Sequence, residues 1–240
     1  MAVWNPWHGC KKISPGCLNC YVYRRDEQFG KDSSVVDKTA NFSLPLCKNR
    51  AGEYKLKNTG ETVYTCMTSD FFLPEADEWR KEAWRIIRLR RELHFAIVTK
   101  RIQRFLISLP DDWGNGYDNV TIVCTCENQE QADARLPAFL RLPIRNREII
   151  MEPMLEEIHI EKYLATGKIQ TVICGGESGE NARLCRYDWI LAVRKQCVQY
   201  QTAFHFKQTG AKFQKGDRLY RIGRQWQEAQ ARKAGIDYMP

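Results

Sequence analysis

The sequence predicts an α/β fold, a partial or complete (β/α) barrel of the TIM-barrel kind with an N-terminal cysteine-cluster loop. Three observations carry this expectation. Short β-rich runs alternate with amphipathic helical stretches, polar groups recur where those runs end, and three cysteines crowd into positions 10–20. The 240 residues, 43% hydrophobic and 28% charged, suit one domain spanning 1–240. Ten Phe, ten Tyr and seven Trp provide a large apolar core, which excludes disordered and fibrous chains.

In chain order, the segment 8–21, HGCKKISPGCLNCY, has neither strand nor helix period, and its Ser14-Pro15-Gly16 is turn chemistry. Residues 31–60, rich in Lys, Asn, Ser and Gly, read as an excursion with a hairpin around Asn58-Thr59-Gly60. Strands are expected at 63–68, 94–99, 120–126, 148–151, 171–174 and 203–207. Helices are expected at 76–92, with Trp79, Ala83, Ile86 and Ile87 on one face, and at 129–140 and 188–199. This alternation implies parallel strands with crossover helices, and no period of about 20 to 50 residues suggests a solenoid. The apolar runs fall far short of the roughly 20 residues that cross a bilayer, and the start MAVWNPWHGC has no basic leader. A cytoplasmic protein with no membrane partner is expected.

Ten cysteines in a large chain without an export signal are expected to stay reduced. Cys66, Cys124, Cys126 and Cys174 lie in β-branched runs and Cys197 on a helix, where cysteine serves as a small buried apolar residue. Cys47 and Cys185 carry no signal. Cys10, Cys17 and Cys20 differ: the CxxC spacing lets two sulfurs face one point, and Cys10 can return to it across the Pro-Gly turn. Zinc would require a fourth ligand, His8 or a distant Cys or His, to close its tetrahedron. A 4Fe-4S cluster on three thiolates would leave one iron open for a ligand. Spacing alone leaves both open; His8 lies awkwardly close to Cys10 for chelation, which favours the cluster.

Lys and Arg number 37 against 29 acids, a net charge of +8, so polyanions should be attracted. Nine cations and two acids occupy 80–104, with Lys81, Arg85 and Arg88 at helical spacing. That face is either a solvated one or a phosphate-contact surface for nucleic acid.

In parallel α/β folds chemistry collects beyond the carboxyl ends of the strands. There the sequence places Ser69-Asp70, Thr99-Lys100-Arg101, Glu127-Asn128, Glu152-Pro153, Gly175-Gly176-Glu177-Ser178-Gly179 and Lys207-Gln208. Asp70, Asn128 and Ser178 each suit a helix cap. Together the set reads as a site for a zwitterionic, hydroxyl-bearing ligand, with Gly175-Gly176 allowing close backbone approach and Glu177 accepting from an ammonium group.

These residues carry a resemblance. With WNP at 4–6, GC at 9–10, SPGCLNCY at 14–21, FSLPL at 42–46, TSDFF at 68–72, TKR at 99–101, ENQ at 127–129, EP at 152–153, CGGESG at 174–179 and FKQ at 206–208, the chain resembles the phage-associated three-cysteine-motif family, which is similar to radical S-adenosylmethionine proteins. The resemblance implies a 4Fe-4S cluster on Cys10, Cys17 and Cys20. It also implies S-adenosylmethionine bound among Gly175, Gly176, Glu177, Ser178, Glu152, Lys100 and Lys207, and a 5′-deoxyadenosyl radical that abstracts hydrogen from a substrate. An external electron donor and a partner protein would accompany it, and a nucleotide or nucleic acid is the expected substrate. Three features depart from the radical pattern: the spacing CxxxxxxCxxC is wider than CxxxCxxC, the aromatic Tyr21 follows the last cysteine instead of preceding it, and GlyGlyGlu follows a late strand. The rival expectation is a zinc-stabilised, non-catalytic nucleic-acid-binding module acting through the basic helix after Trp79.

Overall fold

In the computed structural model, which describes residues 2–240, the elements run β1 (Ala2–Trp4), β2 (Trp7–His8), α1 (Tyr21–Gln28), β3 (Asp37–Lys38), β4 (Val63–Thr65), α2 (Asp77–Leu89), β5 (Phe95–Thr99), β6 (Val120–Thr125) and α3 (Gln129–Phe139). They continue with β7 (Asn146–Met151), α4 (Glu161–Leu164), β8 (Thr171–Gly175), β9 (Leu184–Arg186), α5 (Tyr187–Gln199), β10 (Ala203–Gln208), β11 (Lys212–Lys215), β12 (Arg218–Arg221) and α6 (Arg224–Lys233). Seven strands make one sheet in the order β1-β4-β5-β6-β7-β8-β10. Parallel registers such as Ala2↔Val63, Val63↔Phe95, Ile149↔Val172 and Phe204↔Val172 give it the character of a partial β/α barrel. All six expected strands are in it. Their near-continuous apolar runs, of which β6 is buried along its whole length, are what a sheet covered on both faces requires.

Two boundaries move by more than two residues. The strand expected at 63–68 stops at Thr65 because Cys66 takes φ 60°, a left-handed conformation that ends the extended run. The helix expected at 76–92 ends at Leu89. Arg90 leaves helical geometry there, and its buried guanidinium donates to the carbonyls of Leu56, at 2.8 Å, and Pro45. A third expectation is corrected: Asn58-Thr59-Gly60 is an Asx turn, Gly60 N–H donating to Asn58 Oδ1 at 2.9 Å, with no strand pairing of its own. The reversal within 31–60 lies at Asn49–Gly52, closed by an antiparallel Lys48↔Tyr54 bridge.

The chain divides into two compact units. The first comprises the described residues up to Lys11 with Arg25–Val123 and Leu142–Asn146. Its core is a chain of rings: Trp7 lies 5.2 Å from Phe71, Phe71 4.8 Å from Trp84, and Trp84 4.9 Å from Trp113. Arg80 is fully buried beside them, donating to the carbonyls of Phe71 (2.7 Å) and Leu73 (2.6 Å) and pairing with Asp77 (2.8 Å).

The second unit comprises Lys12–Arg24, Cys124–Arg141 and Arg147–Pro240. Ile190, Val193 and Cys197 of α5 are buried, as are Val172 of β8 and Phe204 and Phe206 of β10. Gln196, also buried, accepts from Ile160 N–H (2.7 Å) and donates to the Ile158 carbonyl (2.9 Å), which fixes the approach to α4. A separate three-stranded sheet, β12-β11-β9, belongs to this unit. No helix of the described chain is long and apolar enough to cross a membrane.

Candidate functional site

Within the second unit, the loop bearing Cys17 and Cys20 folds as a single 3-10 turn, Pro15–Cys17. Two buried carboxylates hold it. Glu127, just beyond β6, accepts from Gly16 N–H at 3.1 Å and from the Ser14 hydroxyl, while its other oxygen pairs with the buried Arg135 at 2.7 Å. A side chain at position 16 would put its Cβ 2.9 Å from Glu127 Oε1, so glycine is what lets the loop lie on that carboxylate. Glu177, just beyond β8, accepts from Asn19 Nδ2 (3.0 Å) and from Arg183 through Nη2 (2.5 Å), Nε (2.9 Å) and the backbone N–H (2.9 Å). Burial pushes the Glu177 carboxyl up, and the Arg183 and Asn19 donors outweigh it, leaving the group below the ordinary glutamate range. Arg183 also donates to the Pro15 carbonyl at 2.9 Å.

The structure brings Glu152 and Lys207 together: Lys207 Nζ lies 2.7 Å from Glu152 Oε2, and Gln208 Nε2 donates to Oε1. Gln208 Oε1 in turn accepts from Arg224 at 2.7 Å. The pair Gly175-Gly176 stands beside this chain, and what approaches it is the protein's own backbone: a Cβ on Gly176 would lie 2.2 Å from the Thr209 carbonyl oxygen. Ser178 does not cap a helix; its carbonyl accepts from Arg24 at 2.9 Å. Asn128 does cap α3, its Oδ1 accepting from Gln131 N–H at 3.0 Å.

Cys10 and Lys100 belong to the first unit. There Asp70 is the hub. Its carboxylate accepts from Phe72 N–H (2.9 Å), Thr99 Oγ1 (2.8 Å), Lys100 N–H (2.9 Å) and Arg101 Nη1 (3.3 Å). Arg101 is buried and spans from Asp70 to the cysteine loop, with Nη1 3.8 Å from Cys10 Sγ and Nη2 2.5 Å from the Lys11 carbonyl oxygen. Burial works against its charge, and Asp70 and the Cys10 sulfur outweigh that.

No disulfide joins the ten cysteines, all of which lie among the described residues. Cys66, Cys124, Cys126, Cys174, Cys185 and Cys197 are buried, and burial pushes the Cys185 and Cys197 thiols up to about 12 and those of Cys66, Cys126 and Cys174 well above the usual range. Cys10, Cys17, Cys20 and Cys47 are partly exposed. As donor types the motif's three thiols suit a metal centre, yet among the described residues no group of three or more His, Cys, Asp or Glu side chains is arranged to hold a metal ion. His8 is otherwise engaged: its Nε2 lies 2.7 Å from Asp26 Oδ2, and the two line a cavity of about 550 Å³ in the first unit.

On α2 each expected phosphate-binding cation has an acidic partner: Lys81 with Glu78 at 3.0 Å, Arg85 with Glu82 at 2.7 Å and Arg88 with Asp112 at 2.8 Å. The face is charge-paired. Sequence reasoning missed Asn19, Arg183 and Arg135 as the residues that fasten the loop. Asn19 was legible as the polar position inside CxxC; the two arginines carry no local signal, because their partners lie across turns without a period.

A family model described as protein of unknown function (DUF5131) matches residues 1–239. Neither the curated proteins nor the solved structures give a match.

Proposed function

We propose, for a chain that belongs to the DUF5131 family of proteins of unknown function, an iron–sulfur enzyme of the radical S-adenosylmethionine type. Cys10, Cys17 and Cys20 would hold the cluster, and the carboxyl ends of the parallel strands would hold the cofactor. One observation carries this reading: the segment 14–19 of the motif is tied by Glu127 and Glu177 to the ends of β6 and β8, where this class of fold keeps its chemistry. Bound there, the cluster would supply the electron that cleaves the S-adenosylmethionine sulfonium to a 5′-deoxyadenosyl radical. Glu127 and Glu177 act as positioning residues, since their carboxylates are filled by Arg135 and Arg183 and by the loop. Glu152 and Gln208 lie against Gly175, and Lys207, about a third exposed, would leave its Glu152 partner to meet a cofactor carboxylate. Reading the sheet as a radical-enzyme barrel, with an electron donor as partner and a nucleotide or nucleic acid as substrate, follows from the same motif.

The test is anaerobic purification followed by iron, sulfide and zinc analysis. Iron and sulfide in equal amounts, a spectrum that shifts on adding S-adenosylmethionine, and 5′-deoxyadenosine formed with dithionite are expected. A colourless protein with one zinc, or an intact cluster indifferent to S-adenosylmethionine, overturns the reading. Cys10→Ala, Cys17→Ala and Cys20→Ala should each abolish iron binding, whereas Cys124→Ala and Cys174→Ala should retain iron at a cost of about 1 kcal/mol.

A further inference from the structure

The antiparallel pairing of β11 with β12 sets Lys212 opposite Arg221 and Lys215 opposite Arg218. Directly opposed residues of such a pair share a face with Cβ atoms about 5 Å apart, and like charges placed so repel. The ribbon therefore carries a repulsive pair at each end. Among the described residues none of these four cations forms an ion pair, unlike Lys81, Arg85 and Arg88 of α2. Seven Lys or Arg and only two acids lie between Lys212 and Lys233.

The faces of the ribbon differ. Phe213 and its register partner Cys185 are buried, so the alternate set faces outward: Lys212, Gln214, Leu219 and Arg221, continued on β9 by Arg186, the partner of Gln214. Arg186 Nε is buried without a hydrogen-bond partner. β12 is the edge strand of its sheet and is exposed at all four residues. Lys215, Arg218 and Tyr220 fall on the Phe213 face, where exposed Tyr220 has Arg218 5.6 Å from its centre and Lys215 lies 4.7 Å from the centre of the Tyr187 ring, so the cations divide between the two faces of the edge; Trp226, on α6, is 59% exposed.

A ribbon that keeps two like-charge pairs without acidic partners gains stability from an external polyanion. Exposed rings between cations suit unpaired bases, which offer a π-face to each ring while the phosphates meet the cations. We propose that the β11–β12 ribbon, with Arg186 and Trp226, binds single-stranded nucleic acid. The site stands independently of the cysteine reading and requires no cofactor.

The experiment is fluorescence anisotropy of labelled oligo-dT and oligo-U with the full chain over a salt series. Binding at low salt should weaken steeply as salt rises. The variant Lys212→Gln, Lys215→Gln, Arg218→Gln, Arg221→Gln should bind at least about tenfold more weakly, and its log–log salt slope should fall by at least about 1.4, the two contacts of one face at about 0.7 per phosphate contact on single strands. Because that variant removes the two repulsive pairs, its melting temperature at low salt should equal or exceed the parent's. Trp226→Ala should weaken binding with the slope unchanged, and Arg221→Gln alone should lower the slope by about 0.7. The proposal is overturned if the parent does not bind oligonucleotide at low salt, if the quadruple variant binds as the parent does, or if anionic phospholipid vesicles bind the ribbon and oligonucleotides do not. A lower melting temperature in the quadruple variant would refute the repulsion on which the argument rests.

Discussion

The Glu127 carboxylate accepts from Arg135, from Gly16 N–H and from the Ser14 hydroxyl. Glu127→Ala leaves Arg135 charged and unpaired in a dry site, a loss on the order of 3–5 kcal/mol, and it releases the loop. Urea unfolding should show the first effect, and faster alkylation of Cys17 in the folded, metal-free protein the second. Gly16→Ala should accelerate alkylation similarly at a smaller stability cost, about 1–3 kcal/mol, because the added methyl displaces the carboxylate while Arg135 remains. Glu177 makes a prediction in pH. Its carboxyl is held below the ordinary glutamate value of about 4.3, so the Arg183 clasp contributes stability that is fully present above that value and is lost as pH falls through the folded value. The stability gap between parent and Glu177→Gln should therefore narrow on acidification below about pH 4.3, followed by denaturant midpoints.

Elements were legible where apolar period and burial agree. The buried Ala83, Ile86 and Ile87 of α2 follow the expected face, but Trp79 is only half-buried and Arg80 is fully buried. A hydrophobic pattern counts arginine as polar, and this one is satisfied internally by two carbonyls and Asp77. The cap on α3 was readable from Asn128 alone, and Asn128→Ala should cost about 1 kcal/mol in thermal unfolding followed by circular dichroism. Replacing Lys81 or Arg85 by Gln should barely lower the melting temperature, since both ion pairs are exposed, and should leave oligonucleotide binding unchanged. β1, β9 and β12 escaped the reading for physical reasons. β1 and β9 are three residues long, and β12, RLYR, looks like a solvated loop until β11 supplies its hydrogen bonds.

At the scale of the whole molecule, the seven-stranded parallel sheet was legible because six of its strands are short β-rich runs, several of them separated by helical patterns. The division into two units was not, because no linker or change of composition marks it. The thiols divide as well, four partly exposed and six buried. In the folded, metal-free protein an aromatic disulfide reagent should therefore titrate four thiols quickly and the remaining six only on unfolding. The shared carboxylate of Glu127 has one more consequence, which is reciprocity. A single group grips both the cysteine loop and, through Arg135, helix α3, so whatever steadies one must steady the other by an equal free energy. Occupying the loop would then be felt at a distance from it, as slower amide exchange in the first turns of α3, and loosening α3 would be felt as weaker grip on anything the loop holds.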